Sequence, residues 1–273
     1  MTLESSRIFN DLIPMQKFKD KSESLFLQLE NVGFTFPGKK HLLTNVTLAL
    51  DRKAIYALMG SNGSGKTTLF NLISGFHKPQ SGSIVFKGRN ISGAPPYRIN
   101  RAGVGRSFQD LRLIGKLTVR ENIFLSMPNN LTDSCVRALL PATVFRKHLK
   151  WMESRVDKVI ADYFLWDVQD SFANEISFGQ QKLLNLACCV ANGADLLLLD
   201  EPVAGISTLY KERVGVLLTQ LRDRGKSIFI IEHNLEFISK TADCFLFLND
   251  GQLLQYGSLQ DFKESSVAAG AYG

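Results

Sequence analysis

The segment GSNGSGKTT at residues 60–68 constrains the fold more than any other part of the chain. It fits the pattern GxxxxGK[ST], follows an apolar strand-like segment, IYALM, and precedes a segment that predicts a helix ending at Gly75. Glycines at these positions allow backbone N–H groups to turn toward phosphate oxygens, and the start of the helix adds a positive dipole. The segment predicts a phosphate-binding loop; the alternative is a glycine-rich turn that binds nothing.

Two side chains at the end of this loop have the chemistry that a bound nucleotide requires. Lys66 is expected to contact the β and γ phosphates, and Thr67 to ligate Mg²⁺. The residues predicted to bind the nucleotide here are Gly60, Ser61, Asn62, Gly63, Ser64, Gly65, Lys66, Thr67 and Thr68.

A pair of acidic residues ends the apolar segment LLLLDEP at residues 196–202. If this segment is a buried strand, Asp200 lies at its carboxyl end, where open α/β sheets hold their ligands, and can support Mg²⁺. Glu201 can then polarise the attacking water. The pair could instead cap a helix, but together with the phosphate loop it supplies what phosphoryl transfer from ATP needs. These two motifs leave kinases, GTPases, helicases and transporters open.

Composition excludes several other classes of protein. The chain has 273 residues, 45% of them hydrophobic and 21% charged, which is typical of a globular protein. Its apolar runs are strand-sized and its first residues lack the apolar core of a signal peptide, so we expect a cytoplasmic protein without a membrane span. The net charge of +6 decides nothing by itself. Because Lys and Arg form no long block, we predict no nucleic-acid partner.

The four cysteines are Cys135, Cys188, Cys189 and Cys244. They form no CxxC pair, and an adjacent pair inside an apolar run is typical of buried thiols. We therefore predict neither a disulfide framework nor a zinc site.

The pattern of apolar residues divides the chain into regions. Alternating segments between residues 25 and 58 predict a β-rich opening. Between residue 118 and about residue 170 the apolar spacing is helical, which predicts a helical subdomain, bounded at about 112–180, with Trp151 and Trp166 in its core. Short runs that are apolar on both faces then alternate with helices, as in a parallel sheet covered by helices; these runs are residues 196–199, 227–231 and 244–248.

A third motif, SFGQQ at residues 177–181, opens an apolar helix shortly before LLLLDEP. Together with the preceding Ile176, its first four residues give ISFGQ, which resembles the signature sequence of the ATP-binding cassette (ABC) ATPases, usually LSGGQ, with the aromatic Phe178 in the third position. Ser177 is a good helix cap and Gly179 permits close backbone approach, so the helix start can bind a second anion. Capping alone would explain the same residues. The resemblance adds Ser177, Gly179 and Gln180 to the predicted nucleotide-binding residues.

The resemblance implies an α/β fold of the P-loop NTPase (RecA-like) type. Its parallel-sheet core carries an N-terminal antiparallel β subdomain and an inserted helical subdomain. We expect the ABC ATPase domain over residues 25–262, an N-terminal extension of uncertain order over 1–24, and a C-terminal tail over 263–273.

Three further positions match functional residues of the family. Gln109 corresponds to a glutamine that senses Mg²⁺ and water, His233 to a histidine that contacts the γ-phosphate, and Phe36 to an aromatic residue that stacks on adenine. Phe34 and Phe36 could equally be core residues of a strand. The implied catalytic residues are Glu201, His233 and Gln109, and the implied metal ligands are Thr67, Gln109 and Asp200.

Within the family, the runs AGVGRSFQDLRLIGKLTVRENI and SFGQQK look most like the ATPase subunits of branched-chain amino-acid and urea-type importers. This implies an ATP-hydrolysing subunit that pairs head-to-tail with a second ATPase subunit, identical or paralogous. Its other partners would be integral membrane permeases, and a solute-binding protein through the complex, at the cytoplasmic face of the cell membrane. The alternatives are an exporter ATPase or a soluble ABC ATPase of repair or translation.

Two positions depart from the family pattern, Ser207 and Cys188, and only the first bears on function. Where most members have Asp or Asn after the acidic pair, at a residue that bridges to the partner's phosphate loop, this chain has Ser207. The shorter side chain puts the coupling of two ATP sites in doubt.

Overall fold

The computed structural model describes residues 26–38, 42–107, 111–128 and 142–264. The strands are β1 (Leu27–Phe34), β2 (Leu43–Leu50), β3 (Ile55–Met59), β4 (Ser81–Phe86), β5 (Arg89–Asn90), β6 (Val104–Arg106), β7 (Leu196–Asp200), β8 (Ser227–Ile231), β9 (Cys244–Asn249) and β10 (Gln252–Tyr256). The helices are α1 (Lys66–Ile73), α2 (Pro96–Ala102), α3 (Val119–Ser126), α4 (Ala142–Asp162), α5 (Phe178–Ala191), α6 (Thr208–Asp223), α7 (Leu235–Thr241) and α8 (Leu259–Glu264). A short 3₁₀ helix spans Trp166–Val168.

The strands form two sheets. β2, β1, β4 and β5 make an antiparallel sheet in that order, and the second sheet has the order β10-β9-β3-β8-β7-β6. In the second sheet β10 pairs antiparallel with β9, and all the other pairs are parallel. The turn between β9 and β10 contains Asp250 and Gly251, both with positive φ, as tight hairpin turns require.

The parallel sheet lies between two apolar layers, which explains why its strands are apolar on both faces. In β3, Ile55 and Ala57 pack into the core that contains α5, α6 and α7, whereas Tyr56 and Leu58 pack against α1 and the antiparallel sheet. β3, β7 and β8 are buried over their whole length. The predicted fold class is therefore confirmed.

The prediction that Trp151 and Trp166 are core residues is wrong. Their side chains are 50% and 56% exposed. The buried positions of α4 follow a four-residue spacing, Met152, Val156 and Ile160, and Trp151 lies one residue, about 100° of helix rotation, away from this stripe. On the surface, the Trp151 ring stacks with His148 at 5.6 Å between centroids and with the Arg155 guanidinium at 4.8 Å.

The predicted boundaries fall partly outside the described residues, since 1–24 and most of 263–273 are not among them. The boundary at residue 262 falls inside α8. Phe262 is buried there against Phe247, at 5.0 Å between ring centroids. In the described part of the chain, no helix has the length and apolar character needed to cross a membrane.

Three of the four cysteines are free thiols, and Cys135 lies outside the described residues. Burial raises the pKa of Cys188 to about 11, although a hydrogen bond with Ser126 opposes the shift. Burial also raises the pKa of Cys189 to about 12, with a smaller contribution from Cys188. Both thiols are therefore protonated at neutral pH.

We expect Cys188 and Cys189 to react with iodoacetamide at pH 8 more than about a hundredfold slower than free cysteine, because only the thiolate is nucleophilic. Peptide mass spectrometry after timed labelling measures each site. The same chain in guanidinium chloride is the control, and both sites should then react rapidly. Equal rates in the folded and unfolded chain would contradict the prediction.

Candidate active site

A cavity of about 420 Å³ lies at the carboxyl ends of β3, β7 and β8. Its walls come from the phosphate loop, from the residues that follow β7 and β8, and from the connection between β1 and β2. The lining residues are Phe36, Leu42, Asn62, Gly63, Gly65, Lys66, Thr67, Thr68, Asp200, Glu201, Ile231 and His233. Most of them are predicted site residues; Leu42 and Ile231 were not predicted.

The phosphate loop connects β3 to α1, and Gly65, with φ of 106°, occupies the N-cap position of α1. Gly60 lies where the loop leaves the sheet. A Cβ atom there would be 2.4 Å from the carbonyl oxygen of Leu248 and 2.8 Å from the Ser64 hydroxyl. Only glycine fits this position without moving the loop or β9.

The Lys66 side chain is buried against the phosphate loop. Its ammonium donates hydrogen bonds to the carbonyl oxygens of Gly60 and Ser61, both at 2.8 Å. Burial lowers the pKa of Lys66, and the nearby carboxylates of Glu201 and Asp200 oppose this shift. The lysine is thus held by backbone groups of the loop, at the wall of the cavity.

Asp200 is the last residue of β7 and is 4% exposed. Burial raises its pKa, and the positive charges of Arg106, Lys66 and Lys182 oppose the rise. Its backbone N–H donates to the Ser107 hydroxyl at 3.2 Å. Among the described residues, no group of three or more His, Cys, Asp or Glu side chains could hold a metal ion. Asp200 and Thr67 line the same cavity and offer hard oxygen donors. This donor set suits Mg²⁺, which takes one or two protein ligands together with substrate phosphates.

Glu201 follows directly, with its backbone in the left-handed region at φ of 49°. Its N–H donates to the Ile231 carbonyl oxygen at 2.9 Å. Its carboxylate oxygen Oε1 lies 3.7 Å from Nε2 of His233. The turn at Glu201 therefore brings a carboxylate and an imidazole together at the edge of the cavity.

His233 is held in place by Glu232, a buried carboxylate that sequence reasoning missed. Glu232 accepts hydrogen bonds from the backbone N–H groups of His233 at 2.9 Å, Asn234 at 3.2 Å and Val203 at 3.1 Å. This one side chain therefore joins the loop after β8 to the loop after β7. An acid directly after the apolar run SIFII was the available signal.

Phe34, Phe36 and His77 form an aromatic cluster, of which Phe36 lines the cavity. Phe34 stacks on His77 at 5.2 Å between centroids, and Phe36 meets both rings edge-on, at 5.0 Å and 5.6 Å. Phe34 ends β1, whereas Phe36 lies beyond the strand and lines the cavity. Phe36 is thus not a core residue of a strand.

The motif at residues 177–181 lies away from this cavity. Ser177 and Gln180 form a capping box: each side chain accepts a hydrogen bond from the other residue's backbone N–H. A Cβ at Gly179 would be 2.5 Å from the Tyr210 ring. Ser177, Gly179 and Gln180 are not among the residues that line the cavity. Gln109 lies outside the described residues.

Comparison with known proteins decides the family. The family model described as "ABC transporter" matches residues 43–204. The chain belongs to the ABC transporter family. It is 31% identical to the high-affinity branched-chain amino acid transport ATP-binding protein LivG of Salmonella typhimurium, over 84% of this chain and 91% of that protein.

Other members of the ABC transporter family agree. The chain is 29% identical to the high-affinity branched-chain amino acid transport ATP-binding protein BraF of Pseudomonas aeruginosa, over 89% of this chain and 96% of that protein. It also resembles a crystal structure of a nucleotide-free ATP-binding cassette from an ABC transporter, with a TM-score of 0.73 and 27% identity, over 88% of this chain and 94% of that chain. The prediction of a nucleotide-binding ABC ATPase is confirmed.

We expect Gly60→Ala to reduce the affinity for a fluorescent ATP analogue more than about tenfold, because the added Cβ displaces the loop. Gly88→Ala is the matched control: Gly88 also has positive φ, 72°, but a Cβ there would meet nothing within 4 Å. Fluorescence titration compares the two variants with the unmodified chain. Equal affinity of Gly60→Ala and Gly88→Ala would contradict the steric argument.

Proposed function

We propose that the chain binds Mg²⁺ and ATP in the cavity and transfers the γ-phosphoryl group to water, releasing ADP and phosphate. The observation that carries this proposal is that Lys66, Asp200, Glu201 and His233 line one cavity with the phosphate loop. These residues come from distant parts of the sequence and from three strand ends. Their convergence supports phosphoryl transfer more than any single motif does.

The loop N–H groups and Lys66 bind the phosphates, and Phe36 stacks on adenine. Glu201 orients the attacking water and takes its proton, and His233 contacts the γ-phosphate. The 3.7 Å separation of Glu201 and His233 supports this pairing, because it lets both groups reach the same end of the phosphate chain. Thr67, Asp200 and Gln109 would hold Mg²⁺, which neutralises the charge that develops on the phosphate oxygens when it is bound.

The working form in this proposal is a head-to-tail dimer of ATPase subunits, identical or paralogous. Ser177, Gly179 and Gln180 lie outside the cavity of their own chain, and the chain has one copy of this motif and one phosphate loop. A second subunit would supply its motif to this cavity and receive the same in return. When the two subunits close around ATP, the backbone N–H groups at the start of one subunit's α5 would donate to the phosphates bound by the other subunit.

We further propose that this ATPase drives import of a small solute such as a branched-chain amino acid. The names of the LivG and BraF relatives support this class of solute. Integral membrane permeases would form the pathway, a solute-binding protein would deliver the solute, and the ATPase would lie at the cytoplasmic face of the cell membrane. Residues 25–262 would act as the ATPase domain.

We expect Glu201→Gln to lower kcat for ATP hydrolysis more than about a hundredfold, because the amide cannot take the proton from water, with ATP affinity changed less than about threefold. In the presence of ATP this variant should elute as a dimer in size-exclusion chromatography. Glu236→Gln is the control, since Glu236 is an exposed residue of α7 that pairs with Lys240. Undiminished hydrolysis by Glu201→Gln would overturn the role of Glu201.

Deleting the gene in its own host should abolish uptake of radiolabelled leucine, isoleucine or valine, because transport then lacks its ATPase. The unmodified chain should restore uptake, and Glu201→Gln should not. Uptake of lysine serves as the control. Unchanged uptake of all three solutes would contradict the proposed substrate class, and purification of the tagged chain with ribosomes or DNA would favour a soluble role.

A further inference from the structure

Lys182, the last residue of the run SFGQQK, is a buried cation to which the proposed function gives no role. It lies in the second turn of α5 and is 7% exposed. Its ammonium donates a hydrogen bond to the carbonyl oxygen of Glu201 at 2.9 Å and lies 5.6 Å from the centre of the Phe178 ring. Lys182 therefore contacts both the helix start that carries the SFGQQ motif and the residue proposed as the general base.

The backbone of Glu201 needs such support. A non-glycine residue with φ of 49° is in a sparsely populated conformation, which persists only when neighbours enforce it. Three contacts enforce it here: the Glu201 N–H donates to the Ile231 carbonyl oxygen, and the Glu201 carbonyl oxygen accepts from the Ala204 N–H at 3.3 Å and from Lys182 at 2.9 Å. The first two contacts are made by the backbone. The third is shorter than the Ala204 bond and depends on one side chain of α5.

Charge and space around Lys182 favour the same role. Burial lowers the pKa of Lys182, and the carboxylates of Glu201, Glu232 and Asp200 oppose the shift. Lys182, Asp200 and Ser107 are among the residues that line a cavity of about 10 Å³, close to the size of one water molecule. An ammonium is costly to bury without acceptors. The position of Lys182 near three carboxylates and the Glu201 carbonyl oxygen therefore indicates a polar role for this side chain.

We propose that Lys182 is a positioning residue, which holds the Glu201 peptide so that its carboxylate faces the cavity and links that carboxylate to the start of α5. Phe178 extends the link, because its ring lies against Gly205 in the loop after Glu201, 3.2 Å from the place of a Cβ. This inference rests on the proposed function. In the proposed dimer, α5 would contact the partner's nucleotide, so Lys182 would connect one subunit's base to the other subunit's site.

The test compares Lys182→Met, which removes the donor at similar volume, with Lys182→Arg, which keeps a charged donor. We expect Lys182→Met to lower kcat about tenfold with KM and ATP affinity changed less than about twofold, because the ground-state site is intact. Lys182→Arg should recover most of the loss. Lys240→Met is the control for removal of a lysine, since Lys240 is exposed on α7.

Thermal unfolding of each variant separates positioning from folding. If Lys182→Met lowers Tm below the assay temperature, Lys182→Gln takes its place. Because glutamine keeps an N–H donor but no charge, this variant should have a kcat below that of Lys182→Arg. A neutral variant with the kcat of the unmodified chain would overturn the proposal. So would a loss of ATP affinity as large as the loss of kcat.

A double-mutant cycle tests whether Lys182 acts through Glu201. If it does, Lys182→Met should reduce the residual rate of Glu201→Gln less than about twofold, because the group that it positions is already inactive. A full tenfold further loss would overturn the inference. Absence of ATP hydrolysis by the unmodified chain would instead overturn the proposed function, so the two failures are distinguishable.

Discussion

The parallel pairing of β3, β8 and β7 is the constraint on which the site depends. The register sets Leu58 beside Ile231, and Ile231 beside Asp200. Because these strands run in the same direction, the residues that follow them leave the sheet at one edge. The phosphate loop, the acidic pair and His233 are therefore neighbours in space, although more than 160 residues separate Lys66 from His233 in the sequence. Packing on both faces of the sheet fixes this register, since a slip of one residue would exchange the two cores.

The site is also a local balance of buried charges. Lys66 and Lys182 lie among the carboxylates of Asp200, Glu201 and Glu232, and Arg106 opposes the rise in the pKa of Asp200. Each buried charge would be costly alone, so each needs partners of opposite sign or backbone acceptors, and these contacts make the positions interdependent. The net charge of the chain carries no information about this arrangement, because it sums over exposed residues far from the cavity.

Sequence predicted those parts of the site that are contiguous. The phosphate loop, the acidic pair and the capped start of α5 have their chemistry in adjacent residues, so spacing alone indicates them. Glu232, Lys182 and Leu42 act on residues that the sheet order brings to them, and no local pattern encodes which strands are neighbours. The prediction that Trp151 is a core residue was wrong for a related reason. A shift of one residue along a helix separates core from surface positions, and aromatic character does not determine which position a residue takes.

Residues outside the loop between β7 and α6 hold this loop in place. This matters for Ser207, which departs from the family pattern. Ser207 occupies the N-cap position of α6, but its side chain makes no capping hydrogen bond. The loop is instead positioned by Glu232, which accepts from the Val203 N–H, and by Phe178, which lies against Gly205. Both anchors belong to the same chain, and one of them begins the helix that would contact the partner's nucleotide. In the proposed dimer, coupling between the two sites through this loop would use these contacts and not a capping hydrogen bond of the Ser207 side chain.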